Sequence, residues 1–239
     1  MILDMRSFWR TLDHGSLRDI FLVCLADAIV GASFGAITVS GGLPPWAPIT
    51  MSVLVFAGGA QFAAAGVVLA GGSPAAAVLA GLVLNARLLP YGFTVADTVG
   101  GSRWARLLGA QLITDESVAF TLRQHERRRR RATFWTCGLA LFGCWNVAVV
   151  LGVLAGALLR NTGSFGLDAA FPTVLLALVL PSLADRGTRN AALAGAVIAV
   201  AATPFLPAGL PVLLALAGLM LAGRPASAVA GPDPALEVR

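Results

Sequence analysis

Inside the long apolar runs of this chain stand a few groups able to do chemistry: Asp27, Gln61, Asn85, Arg87 and Asn146. The cluster Thr114-Asp115-Glu116 joins them if its segment is buried. A central Asp or Arg costs ~2.5–3.5 kcal/mol on membrane-insertion scales, so such residues ordinarily face a cavity or a partner and are functional candidates by default. Asp27 lies near the middle of its run, one helical turn before Gly31 on the same face, which sets a titratable carboxylate beside a close helix contact. That suits a proton carrier or a counter-ion for an ammonium group. Gly58-Gly59 followed by Gln61 and Phe62 suits a discontinuous helix whose freed N–H groups attract a carboxylate. Tight packing, with Gln61 bonded to a neighbouring helix, is the equal alternative. Arg87 precedes Pro90, where a kink is expected, so its charge can be offered to a cavity. The bland alternative is that Asp27 and Arg87 neutralise each other and lock two helices together.

Enzymatic readings lack apparatus. Gly31-Ala32-Ser33-Phe34-Gly35 fits the nucleophile pattern G-x-S-x-G, but that motif needs a strand-turn-helix elbow and a histidine base. The two histidines, His14 and His125, lie in charged flanks. There is no H-E-x-x-H, phosphate-binding loop or dinucleotide fingerprint. Three cysteines, Cys24, Cys137 and Cys144, sit in apolar runs and read as packing residues rather than a disulfide framework or metal site. No enzyme, metal or cofactor is expected.

The elements that must position these residues are membrane helices. Of 239 residues, 57% are hydrophobic before 27 glycines are counted and 12% are charged, about half the ordinary share. Too few polar groups remain to cover a water-soluble fold. A helix needs ~20 residues to cross ~30 Å of hydrocarbon, leaving room for about seven or eight crossings. A β-barrel would alternate apolar and polar residues, whereas the run 191–202 is apolar throughout. Seven spans are visible at 17–39, 48–70, 74–99, 134–159, 167–183, 190–206 and 209–221, with an eighth candidate at 104–122. The expected organisation is an N-terminal tail (1–16), a first membrane half (17–122), an Arg-rich cytoplasmic loop (123–133), a second half (134–223) and a disordered cytoplasmic tail (224–239). The charged start followed by a long apolar run reads as a retained first span, not a cleaved signal. A formal charge of +5 raises nucleic acid as a partner, but Arg127 to Arg131 form one block between apolar spans and read as a positive-inside anchor. Gly31-x-x-x-Gly35 and Gly152-x-x-x-Gly156 open the two halves alike, which raises an internal repeat of the kind many transporters have.

Four runs resemble the AzlC family, the large subunits of bacterial branched-chain amino acid exporters. They are Ala26-Asp27 with Gly31-x-Ser33-Phe34-Gly35, Met51-Ser52 leading to Val55-Phe56-Ala57-Gly58-Gly59-Ala60-Gln61-Phe62, Leu84-Asn85-Ala86-Arg87, and Leu112-Ile113-Thr114-Asp115-Glu116-Ser117. The resemblance implies a multi-pass protein of the bacterial cytoplasmic membrane that works with a small hydrophobic AzlD-type subunit. It also implies export of valine, leucine or isoleucine by ion-gradient-driven secondary transport, without an ATPase domain. A histidine is expected after the arginine of the Asn-x-Arg motif; this chain has Leu88-Leu89-Pro90, which removes a titratable group there.

A zwitterionic apolar substrate needs a group for its carboxylate, one for its ammonium and an oily pocket. Arg87 or the N–H groups from Gly58 and Gly59 to Gln61 are candidates for the first, and Asp27 for the second. Phe34, Phe56 and Phe62 are candidates for the third, with Asn85 beside Arg87. Asp115 and Glu116, with Asp27, are candidate gate or proton sites. The alternative reading is a non-transporting assembly or regulatory subunit whose polar groups only hold helices together.

Overall fold

The computed structural model describes residues 13–159, 176, 180–206, 210–215 and 217–218, and these are helical with no strand among them. Two compact units emerge, Met1–Val174 and Leu175–Arg239. Most of the expected span at 167–183, the tail 224–239 and residues 1–12 lie outside the described residues.

In the first unit, α1 (His14–Ser40) starts where the Asp13 carboxylate accepts from the Ser16 backbone N–H at 3.2 Å and from its hydroxyl at 2.8 Å. It ends at Gly41-Gly42, where Gly42 takes φ +106°, a conformation that favours a residue without Cβ. Six short helices follow: α2 (Trp46–Leu54), α3 (Gly58–Leu69), α4 (Pro74–Asn85), α5 (Leu88–Val99), α6 (Arg103–Gln111) and α7 (Asp115–Leu122). The long α8 (Arg127–Leu159) closes the unit, and α1, α2, α5 and α7 all pack on it.

Two of the described helices, α1 and α8, are each long and apolar enough to cross a membrane, and the bent pair α4 and α5 counts as a third if taken as one span. The apolar run 48–70, where Gly58-Gly59 suited a discontinuous helix, is two pieces of 9 and 12 residues, about 14 and 18 Å long at 1.5 Å per residue. The run 74–99 bends by 52° between Asn85 and Leu88. Pro90 explains the bend, since it has no N–H to offer Ala86 and its ring crowds that carbonyl. The eighth candidate at 104–122 is likewise divided, at 112–114.

The tightest packing joins α1 to α8 through the paired small-residue motifs. A Cβ on Gly35 would stand 2.8 Å from the Val153 backbone nitrogen, and one on Gly156 would stand 2.6 Å from the Ala36 carbonyl oxygen. Gly152 is as close against Ala32. Without a hydrophobic drive in lipid, such backbone proximity is what dispersion and weak C–H···O contacts require. The Ser52 hydroxyl donates to Asn146 Oδ1 at 2.6 Å, and Cys144 Sγ donates to the Cys24 carbonyl at 2.9 Å, pinning α2 and α1 to α8. Outward-facing rows such as Phe21, Leu25 and Ile29 on α1 and Val147, Leu151 and Leu154 on α8 are exposed. Long exposed apolar rows of this kind belong in lipid or against another apolar chain.

In the second unit, a short 3-10 turn (Leu180–Ala184) precedes α9 (Arg186–Ala202) and α10 (Leu210–Leu214). Asp185 caps α9, accepting from the Thr188 N–H at 2.7 Å and its hydroxyl at 2.9 Å.

Candidate functional site

The break between α2 and α3 falls immediately before the two glycines. Val55 still donates to the Met51 carbonyl at 2.9 Å, but Phe56 takes φ +41° and Ala57 is extended, so the helix cannot continue. A left-handed backbone at a bulky residue costs roughly 1–2 kcal/mol. Burial of the Phe56 ring edge-on against Phe142, at a centroid distance of 4.9 Å, helps to offset that. The new helix, α3, opens with no side chain capping its first turn. Its first N–H groups therefore form a site suited to an anion. Gln61, in that first turn, is fully buried, and neither atom of its amide has a hydrogen-bond partner.

The break between α6 and α7 has a different local cause. Thr114 and Ser117 form a reciprocal capping box that starts α7 afresh. Ser117 Oγ also donates to the Leu112 carbonyl at 2.9 Å, which occupies an acceptor left over from α6. Asp115 and Glu116 fall in the first turn of α7, where the helix dipole favours negative charge.

The two breaks are joined at both of their ends. On one side, Gln111 Nε2, at the end of α6, donates to the carbonyls of Val53 and Leu54 at 2.9 and 3.2 Å. It thereby caps the end of α2. On the other side, Arg87 extends from the bend between α4 and α5 and pairs with Asp115 at 3.0 Å. The same guanidinium lies over the start of α3, with its Nη2 3.8 Å from where a Gly59 Cβ would stand. One cation thus faces the starts of two half-helices.

The bland alternative, an Asp27–Arg87 lock, is not formed: the partner of Arg87 is Asp115, and no salt bridge joins Arg87 to Asp27 among the described residues. The side chains of Arg87 and Asp115 are 57% and 38% exposed, so the pair is not sealed in the protein core. Asp115 Oδ1 is buried with no hydrogen-bond partner, leaving one acceptor of the pair uncommitted.

The remaining sequence candidates are spread around this junction. Asp27 is half-buried on α1, within electrostatic reach of Glu116. Asn85 is half-buried at the end of α4, beside the bend that carries Arg87. Phe34 and Phe62 are buried edge-to-face at 5.1 Å, with Phe34 stacked on Trp145 at 6.4 Å, while Phe56 packs on Phe142. Trp145 also fills the space in front of Gly58, where a Cβ would stand 2.9 Å from its ring, so glycine there makes room for the indole. Gln111, Phe142 and Trp145 escaped sequence reasoning as site residues. Gln111 had one legible signal, a polar residue directly before Leu112-Ile113-Thr114-Asp115-Glu116-Ser117; the two aromatics had none, since any apolar helix carries such residues.

The arrangement sets the Arg87 guanidinium, one uncommitted oxygen of Asp115 and the uncapped start of α3 side by side. A family model described as "AzlC protein" matches residues 23–159, which contain all of these residues. An "Uncharacterized membrane protein" of Archaeoglobus fulgidus is 31% identical, covering 85% of this chain and 90% of its own. Another so named in Helicobacter pylori is 24% identical over 84% of this chain and 88% of its own. The "Branched-chain amino acid transport protein AzlC" of Bacillus subtilis is 24% identical over 80% of this chain and 77% of its own. No solved structure matches. The family model covers more than half of the chain and carries all four motifs: this chain belongs to the AzlC family.

Proposed function

We propose that this protein is the large subunit of a secondary transporter that exports branched-chain amino acids across the bacterial cytoplasmic membrane, driven by an ion gradient and working with a small AzlD-type subunit. The observation that carries the reading is the junction of two interrupted helices at Arg87. Unwound or restarted helices give backbone polarity at membrane depth, which is tolerated only where it is buried in protein or lines a cavity. In this reading α2 with α3, and α6 with α7, each make one discontinuous crossing. Their combined helical lengths of about 32 and 26 Å are near the hydrocarbon thickness. With the seven spans expected from the sequence the total is then eight crossings, and the facing Gly-x-x-x-Gly motifs of α1 and α8 support two related halves.

The substrate carboxylate binds at Gly58, Gly59 and Gln61 beside Arg87. Its ammonium meets Asp27, and its branched side chain lies against Phe34, Phe56 and Phe62. Substrate carboxylate and Asp115 compete for one guanidinium, so loading frees Asp115 to take a proton or to move with α7. Asp115 and Glu116 thus act as gate or proton sites. No chemical conversion of the substrate is part of this reading.

The test is labelled leucine flux in proteoliposomes holding the chain with and without the small subunit, for the native protein and for Asp27→Asn and Arg87→Met. Gradient-dependent flux that needs the partner and falls by about tenfold or more in both variants is expected, equivalent to about 1.4 kcal/mol or more of lost stabilisation. Native-like flux in both variants overturns the assignment of the site. Absence of flux from a folded two-subunit complex favours the assembly-subunit reading, in which the Arg87–Asp115 pair is a structural lock.

A further inference from the structure

A second site of different chemistry lies away from the helix breaks. Between the end of α5, the glycine turn that follows it, α6 and the start of α8 is a cavity of about 620 Å³ lined by Ala96, Asp97, Gly100, Gly101 and the arginines 106, 127, 128 and 131. The positive-inside rule accounts for arginines on one side of a membrane. It does not account for their convergence from two helices onto one cavity.

Charge balance marks the cavity as unsatisfied. Arg127 to Arg131 occupy the first turns of a 33-residue helix that has no acidic residue in its first turn. Cations at that end oppose the helix dipole, which favours anions there. Among the described residues two carboxylates respond, Glu126 at 3.5 Å from Arg129 and Asp97 at 3.5 Å from Arg130. These are two arginines that do not line the cavity. Arg106, Arg127, Arg128 and Arg131 have no salt bridge among the described residues. The Arg131 Nε is also buried without a hydrogen-bond acceptor. Its guanidinium lies against Gly100, at 3.1 Å from where a Cβ would stand, and Gly100 takes φ +119°. A side chain there would be strained and would crowd that guanidinium. Gly101 next to it has open space where a Cβ would be.

We propose that this cavity binds a phosphate-bearing anion, through guanidinium–phosphate pairing at Arg106, Arg127, Arg128 and Arg131. Arginine suits the role because its planar fork matches two phosphate oxygens at once. Either an anionic phospholipid headgroup or a free phosphate supplies that chemistry, and the two are separable. The inference does not rest on the transport reading.

The test is ligand retention by native mass spectrometry and thermal melting of the purified full chain in neutral detergent. The probes are phosphatidylglycerol, phosphatidylcholine, inorganic phosphate and pyrophosphate. Saturable binding of phosphatidylglycerol or of the inorganic anions over phosphatidylcholine is expected. It weakens by about tenfold in Arg106→Gln and in Arg128→Gln, the scale of one lost charge-assisted contact, and is unchanged in Arg18→Gln, whose side chain does not line the cavity. Retention of phosphatidylglycerol with no effect of the inorganic anions assigns the lipid; displacement of the lipid by those anions assigns a soluble phosphate. The proposal is overturned if neither class binds, if phosphatidylcholine is retained equally, if both cavity variants bind as the native chain does, or if Arg18→Gln weakens binding as much as they do.

Discussion

Gln111 Nε2 and the Val53 carbonyl oxygen are 2.9 Å apart, a hydrogen bond that ties the end of α6 to the end of α2 across 58 residues of sequence. The last carbonyls of any helix lack intrahelical donors, and in the proposed discontinuous crossings these lie at membrane depth, where no water substitutes freely. Gln111→Ala leaves the carbonyls of Val53 and Leu54 without this donor, and about 1–3 kcal/mol of destabilisation is expected. Gln111→Glu removes the donor and adds a carboxylate beside two carbonyl oxygens, so it is expected to be the worse of the two. Melting of the purified chain in detergent ranks them; equal or higher stability of the glutamate variant contradicts this assignment.

Gln61 predicts the opposite relation between stability and activity. Its amide is buried with neither atom bonded, so replacing it with an apolar side chain of similar length removes a desolvated polar group. Gln61→Leu is expected to melt at or above the native temperature while substrate flux drops by about tenfold or more. If stability falls and flux persists, Gln61 is a packing residue, and the start of α3 loses its role in binding.

The α1–α8 interface gives a volume test. Gly35→Val and Gly152→Val each drive carbon into backbone of the opposite helix, and neither backbone can move aside without separating the pair. A loss at or beyond the usual overpacking range of about 1–3 kcal/mol is expected, seen as aggregation on size-exclusion chromatography after extraction. Gly143, on the same helix, has nothing within 4 Å of a Cβ position. Gly143→Ala should be neutral or gain up to about 1 kcal/mol from helix propensity. Monodisperse, native-like behaviour of Gly152→Val is incompatible with this interface.

Asp13 makes the start of α1 sensitive to acid. Hydrogen bonds from the Ser16 hydroxyl and then from its backbone N–H hold the Asp13 carboxyl below its ordinary value of 3.8. A carboxylate with a lowered folded-state pKa contributes stability that is fully present above the ordinary value and is lost as pH falls through the lowered one. Protection of the Ser16 amide from hydrogen exchange, corrected for the intrinsic rate, is therefore expected to fall between about pH 5 and about pH 2. The dependence should vanish in Asp13→Ala, and flat protection in the native chain across that interval refutes the cap's contribution.

The lipid-facing character and helical class of this chain were legible in its composition, because too little polar surface exists for water and an apolar run must satisfy its own backbone. The two ends of the α1–α8 contact were legible as well, since Gly31-x-x-x-Gly35 and Gly152-x-x-x-Gly156 are patterns of volume, and volume is local. Pro90 likewise announced the bend at Arg87 through its missing N–H. What the sequence left open was partnership. A guanidinium at a bend can reach a carboxylate on several neighbouring helices, and nothing local distinguishes Asp27 from Asp115. Only the packing of α4, α5 and α7 brought Asp115 to 3.0 Å from Arg87, with no salt bridge from Arg87 to Asp27 among the described residues. The break at 112–114 was hidden for the same reason, since its residues are ordinary helix formers in part and the break holds through a capping box and through Gln111 reaching a segment 58 residues away. Apolar burial is additive along a chain and can be read residue by residue; ion pairs and caps between distant helices depend on geometry that exists only once the helices have packed.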